Sequence, residues 1–230
     1  MSKAEVCMYE VNSDHYWNSA HVIDSFSNAE VKDYIKEFFG NYDPGRHLKV
    51  ADLGCGAGRY AIWLAQSGYD VYACDASEGM LNKTKEGLEK IGYQDIDQKI
   101  LKNRLEDLPF DGEMFDIVLT NGVIHNAFTC EEYKQCLKEC VRVLKTDGVL
   151  YLSVFTSDTI DDKLEKVEEH VYLTPNGLYM LLFDKEEIIQ MLSDLNCQMT
   201  EECALYDIQV ETGVRSLFRA VYQKSINKKA

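Results

Sequence analysis

The chain has 230 residues, 46% hydrophobic and 27% charged, which allows a packed core and argues against wholesale disorder. Its 39 acidic and 24 basic residues give a formal charge of −15, a field that repels phosphate backbones and anionic lipid and so disfavours nucleic acid as a partner. No run reaches the ~20 apolar residues of a membrane helix, and no apolar stretch follows Lys3, so neither a membrane partner nor a secretory signal is expected.

Eight cysteines without a CxxC pair read as reduced thiols of a cytoplasmic chain. Cys136 and Cys140, four apart, share a helical face and read as core residues. No metal site is expected.

Two helical candidates lie near 15–25 and 29–39. Leu48–Leu53 is strand-like and is cut off by Gly54-Cys55-Gly56-Ala57-Gly58. Ala61, Ile62, Leu64 and Ala65 then recur at helical spacing, with Gly68 as the stop. Val71–Asp75 is a second strand. Ser77 can cap a helix through Met80, Leu81, Leu88 and Ile91, ended by Gly92. A third strand lies near 98–102 and a fourth at Phe115–Thr120. Thr129 and Glu132 form a capping-box pattern ahead of a helix carrying Tyr133, Leu137, Val141 and Leu144.

Val149–Phe155 is a fifth strand, after which the rhythm breaks and 157–170 are charged and exposed in pattern. Asp184 with Glu187 caps a last helix, and strand-like runs follow near 197–209 and 216–223. Apolar strands alternating with amphipathic helices predict an α/β fold, doubly wound around a mostly parallel sheet.

Ligands of such sheets bind outside the carboxyl ends of the strands. The glycines at 54, 56 and 58 sit at such a place, between a strand and a helix, where backbone can approach a ligand. Their G-x-G-x-G spacing puts Arg59 where a dinucleotide fingerprint needs its third glycine, so a nicotinamide site is disfavoured. Asp75 ends the second strand, 21 residues after Gly54. A carboxylate there can take both hydroxyls of a ribose; it can also simply cap the next helix.

In order and spacing, four elements together resemble class I S-adenosylmethionine-dependent methyltransferases over about residues 48–155. They are Asp52–Gly58; Asp75; Leu108-Pro109-Phe110 leading into Phe115–Val118; and Arg142-Val143-Leu144-Lys145 before Asp147-Gly148. The resemblance implies a Rossmann-like, seven-stranded sheet ending in a C-terminal antiparallel hairpin, with S-adenosylmethionine as cofactor and S-adenosylhomocysteine as product. It implies one methyltransferase domain over 1–230: a helical lid (1–45), the cofactor-binding core (46–155), a substrate-side cover (156–183), and a last helix and hairpin (184–230).

The same resemblance places Gly54, Cys55 and Gly56 at the methionine half of the cofactor, with Asp52 organising that loop, and counts Arg59 among the cofactor-binding residues. It places Asp75 on the ribose, Ala76 and Met80 against adenine, Leu105 and Glu106 at the adenine edge, and Asn121 facing the methionine portion. The resemblance also implies that Tyr16 and Trp17 lie over the cofactor as part of a lid; Trp17 can also be an ordinary core or interface anchor. Many relatives carry an aspartate five residues before the proline of the L-P-F element; here Arg104 stands there, so Glu106, Asn103 or backbone groups must serve the adenine amine.

Methyl transfer needs alignment more than acid–base help, and a base only if the nucleophile starts protonated. His125 is the catalytic candidate: it can take that proton, or it can orient its loop. The leading expectation is transfer to a small-molecule substrate. The alternatives are tRNA-base or protein methylation and a non-catalytic cofactor-binding module. The oligomeric state is left open.

Overall fold

The structure is a computed structural model describing residues 3–225, with side chains from Tyr9 onward. It opens with α1 (Lys3–Trp17), α2 (Ala20–Ser27) and α3 (Asp33–Phe39). The helix expected over 15–25 is therefore broken in its middle. The Asn18 amide donates to the Asp14 carbonyl at 2.9 Å, and Ser19 is extended (φ −71°, ψ 140°). Short polar side chains compete with helical backbone bonds in this way.

The alternation then follows the sequence closely. In order come β1 (Lys49–Leu53), α4 (Arg59–Gln66), β2 (Asp70–Asp75), α5 (Glu78–Lys90), α6 (Ile96–Lys99), β3 (Ile100–Lys102), β4 (Phe115–Asn121), α7 (Cys130–Val143) and β5 (Leu144–Ile160). After them come β6 (Glu165–Glu168), β7 (Val171–Leu173), β8 (Tyr179–Leu181), α8 (Lys185–Asp194), β9 (Cys197–Val210) and β10 (Gly213–Lys224).

Seven strands form one sheet in the order β3-β2-β1-β4-β5-β10-β9. The first five are parallel to one another; β10 pairs antiparallel with both β5 and β9. One face packs on α3 and α4 through Ile35, Phe39, Tyr60 and Leu64. The other packs on α7 and α8 through Tyr133, Leu137, Ile188 and Leu192. Central strands are apolar on both faces because both are covered.

The caps show how far local rules carry. Ser77 accepts from the Met80 N–H at 3.2 Å, and Asp184 with Glu187 makes a reciprocal box. Thr129 accepts from the Glu132 N–H at 3.1 Å, but the Glu132 carboxylate takes the Phe128 N–H, one residue earlier than a capping box prescribes. Across the segment that reads as charged cover, β6, β7 and β8 form a separate three-stranded antiparallel sheet. Its strands are three or four residues long, too short for a period to be visible in the sequence.

Among the described residues no helix is long and apolar enough to cross a membrane. Their seven cysteines are all free.

Candidate active site

At the carboxyl ends of β1, β2 and β4 lies a cleft of ≈ 990 Å³, counted out to its open mouth. Its floor is Gly54 and Gly56 with Asn121 and Gly122; one wall is Asp75, Ala76 and Met80; the other is Leu105, Glu106 and Phe128. Trp17 and Asn18, at the end of α1, roof it. Residues 67 positions apart in sequence, Gly54 and Asn121, thus face one space.

The floor exists because the backbone there is left-handed. Gly54 has φ +71°, and a Cβ on it would lie 2.4 Å from Val123. Gly58 has φ +84°, and its Cβ would meet Thr84 at 2.8 Å. Only glycine permits both the turn and the approach of α4 to α5.

Asp75 ties the bend to the next helix. Its Oδ2 accepts from the Gly56 N–H and its Oδ1 from the Ser77 N–H, both at 2.8 Å. Burial raises its pKa, opposed by the N–H groups of Ser77, Gly56 and Ala76. A carboxylate carries about four lone-pair sites. Two are spent on backbone, which fixes the carboxylate's plane and leaves capacity toward the cleft.

Asp52 does not line the cleft. It is buried at the end of β1 and its Oδ2 has no hydrogen-bond partner. Burial pushes its pKa up to about 7, against the pull of the Arg59 charge and the Ala61 N–H. Arg59 also lies outside the lining, its guanidinium 4.4 Å from the Tyr60 ring centroid. The Cys55 side chain is buried beneath the bend, and burial holds its thiol well above the ordinary value.

Of the aromatic pair, Trp17 faces the cleft, while Tyr16 packs with Val22, Ala57 and Met80. The two rings meet edge-on at 5.0 Å.

Glu106 lines the cleft but is hydrogen-bonded to Arg104. Arg104 also pairs with Glu132 at 3.6 Å and lies 4.5 Å from the Phe128 ring centroid. The Asn103 amide is spent on the Arg104 and Asp107 carbonyls.

His125 sits behind the floor, 2% exposed, and is not among the lining residues. Its Nδ1 accepts from the Phe155 N–H at 3.3 Å, which assigns its proton to Nε2. Burial, with the Arg215 charge adding, drops its pKa to about 3. A ring so hard to protonate is a weak base near neutrality.

Two positions were missed in the sequence. Asn18 Oδ1 accepts from the Gly79 N–H and the Ser77 hydroxyl, both at 2.9 Å, clamping the roof to the start of α5; its helix-breaking Asn-Ser pair was the available signal. Arg142, quoted only as a motif letter, donates to the Phe110 and Leu108 carbonyls at 2.9 and 3.1 Å and pairs with Glu139 at 2.7 Å. It thereby holds the loop that follows the Leu105 wall.

The comparisons agree with this geometry. The methyltransferase domain family matches residues 51–152, the stretch that builds the floor and both walls. Over that stretch the chain is similar to class I S-adenosylmethionine-dependent methyltransferases.

An uncharacterised methyltransferase of Synechocystis is 31% identical over 150 residues, covering 65% of this chain and 62% of the relative, so the match leaves over a third of that protein unmatched. The ubiquinone biosynthesis O-methyltransferase of Rickettsia typhi is 23% identical over 208 residues, 87% of this chain and 82% of that one. A solved S-adenosylmethionine-dependent methyltransferase from Methanosarcina mazei shares the fold at a TM-score of 0.70 and 19% identity, covering 86% of this chain and all of that one.

The cleft suits the family's cofactor, S-adenosylmethionine. It offers a fixed carboxylate for a diol, an apolar slot between Met80 and Leu105, and a glycine floor.

Proposed function

We propose that this chain transfers a methyl group from S-adenosylmethionine to a small-molecule acceptor, working as one cytoplasmic domain over 1–230. The observation that carries the reading is the single cleft that brings the bend at 54–58 and the carboxylate of Asp75 together under α1. The cofactor supplies a methyl on a sulfonium, a group already activated for in-line displacement.

The residues of the chain supply position. Asp75 takes the ribose hydroxyls. Ala76, Met80 and Leu105 enclose the adenine, with Glu106 at its edge. The backbone of Gly54, Cys55 and Gly56 runs beside the methionine portion, which Asn121 faces. Asp52, with Arg59 beside it, holds the bend from below. Trp17 closes the roof, backed by Tyr16, and excludes water. His125 orients the end of β5 through Phe155 and takes no proton.

A small acceptor is favoured by three observations. The net charge repels nucleic acid. The cleft is of the size that takes small molecules, and Trp17 and Asn18 roof it. A relative matched over 82% of its length is named for O-methylation in ubiquinone biosynthesis.

Calorimetry with S-adenosylhomocysteine, followed by incubation of methyl-labelled cofactor with fractionated metabolite extract, tests the reading. Binding and a labelled small product are expected. Binding without any labelled product would leave a non-catalytic module, and label in tRNA or protein would replace the acceptor class.

A further inference from the structure

Arg219 on β10 is a buried cation with no assigned task. It pairs in register with Ser153 of β5, which pairs with Asn121 of β4, so it stands two strands from the cleft floor. It is 8% exposed, and its Nε and Nη1 have no hydrogen-bond partner. Nη2 donates to the Tyr206 hydroxyl at 3.1 Å.

In a chain with 39 acidic residues, no ion pair reaches it among the described residues. Rings surround it instead, and the Tyr151 hydroxyl lies close enough to feel its charge. Its guanidinium carbon is 3.8 Å from the centroid of Tyr34 and 5.4 Å from that of Tyr206. The Tyr34 hydroxyl in turn donates to Asn121 Oδ1, on the cleft floor, at 3.4 Å. One ring therefore links the cleft to the cation.

Ring faces attract a guanidinium but do not accept from N–H bonds lying in its plane. A buried donor without an acceptor is costly, and a guanidinium matches a carboxylate in shape as well as charge. Arg215, four residues earlier on the same strand, makes the contrast. Its Nη2 reaches Thr212 Oγ1 at 2.6 Å, its Nη1 the Thr212 carbonyl at 3.4 Å, and its Nε the Met180 sulfur at 3.3 Å. The structure uses every nitrogen of Arg215 and leaves two of Arg219.

We infer that Arg219 binds a carboxylate of the methyl acceptor, with Tyr34 between that anchor and the reacting end. The inference rests on the methyl-transfer reading and gives its acceptor a chemical class: an organic acid whose carboxylate lies away from the atom methylated.

The test begins with the wild-type chain. The labelled product made from metabolite extract is expected to bind an anion exchanger at neutral pH; a neutral or cationic product overturns the inference. With the acceptor then purified, Arg219→Met should raise its KM about 100-fold, the loss of a charged hydrogen-bonded contact, and R219K should raise it less. S-adenosylhomocysteine affinity should stay at the wild-type value in both. An unchanged KM in R219M with intact S-adenosylhomocysteine binding also overturns it. Should R219M fail to fold, the charge of the wild-type product still decides. Bound S-adenosylhomocysteine with no labelled product at all defeats the methyl-transfer reading, and this inference with it.

Discussion

The two ends of the cleft are built by different means. The end holding Asp75 is made of backbone. Gly54, Gly56 and Gly58 turn through left-handed conformations, and Asp75 is held by the N–H groups of Gly56 and Ser77, all within 25 residues of chain. The end beyond Asn121 is made of side chains from distant segments. These side chains stand behind the cleft lining: Tyr34 of α3 joins Asn121 to Arg219 of β10, and Phe155 of β5 meets the His125 ring. A backbone cradle is insensitive to most substitutions and suits a ligand that does not change. A side-chain cluster can be rewritten one residue at a time, which suits an acceptor that differs between relatives.

On this contrast, damage at the first end should be severe and specific to the cofactor. Asp75→Ala should weaken S-adenosylhomocysteine binding by about 100-fold or more while unfolding stays cooperative, because a charged acceptor of two hydroxyls is lost. Calorimetry giving the wild-type affinity would remove the ribose assignment.

The two ends should also respond to pH with opposite signs. The folded pKa of Asp52 is raised to about 7, so its contribution to stability is full below its unfolded value near ~4 and is lost as pH rises through about 7. The folded pKa of His125 is depressed to about 3, so its contribution is full above ~6.5 and is lost as pH falls toward about 3. At 1.36 kcal/mol per unit of pKa difference, each is worth on the order of 4–5 kcal/mol over its full window. Urea melts from pH 4 to 8 should show Asp52→Asn gaining on the wild type as pH rises, and His125→Gln gaining as it falls. Parallel curves for all three proteins would show that neither group is held as the structure has it.

Gly54→Ala should cost ~1–2 kcal/mol from the strained φ and the Val123 contact, and should weaken cofactor binding with it. Thermal melts with and without S-adenosylhomocysteine measure both parts. The smallest effect is expected at the acceptor end: His125→Gln should slow turnover by less than ~10-fold with unchanged S-adenosylhomocysteine affinity. Complete loss of turnover with intact binding would make His125 the base.

Much of the first end was legible in the sequence because its causes are local. Glycines that need left-handed backbone, a carboxylate ending a strand and a serine capping a helix all announce themselves within a few positions. The Arg142 clamp was written in a motif, but its partners lie 32 and 34 residues upstream, and spacing alone does not reveal a contact across a fold. The burial of His125 was likewise hidden, since a histidine after the fourth strand reads the same whether its ring faces the cleft or Phe155.

The order of strands and helices, the bend at 54–58 and the placing of Asp75 at a strand end follow from chain chemistry alone, because hydrophobic period and backbone freedom act over short distances. That Asn18 clamps the roof to α5, that Asp52 lies beneath the floor and not on it, and that Arg219 meets Tyr34 from across 185 residues were decided only when the sheet closed and its faces were covered. Those contacts depend on which side chains burial brings together, and burial is a property of the assembled fold.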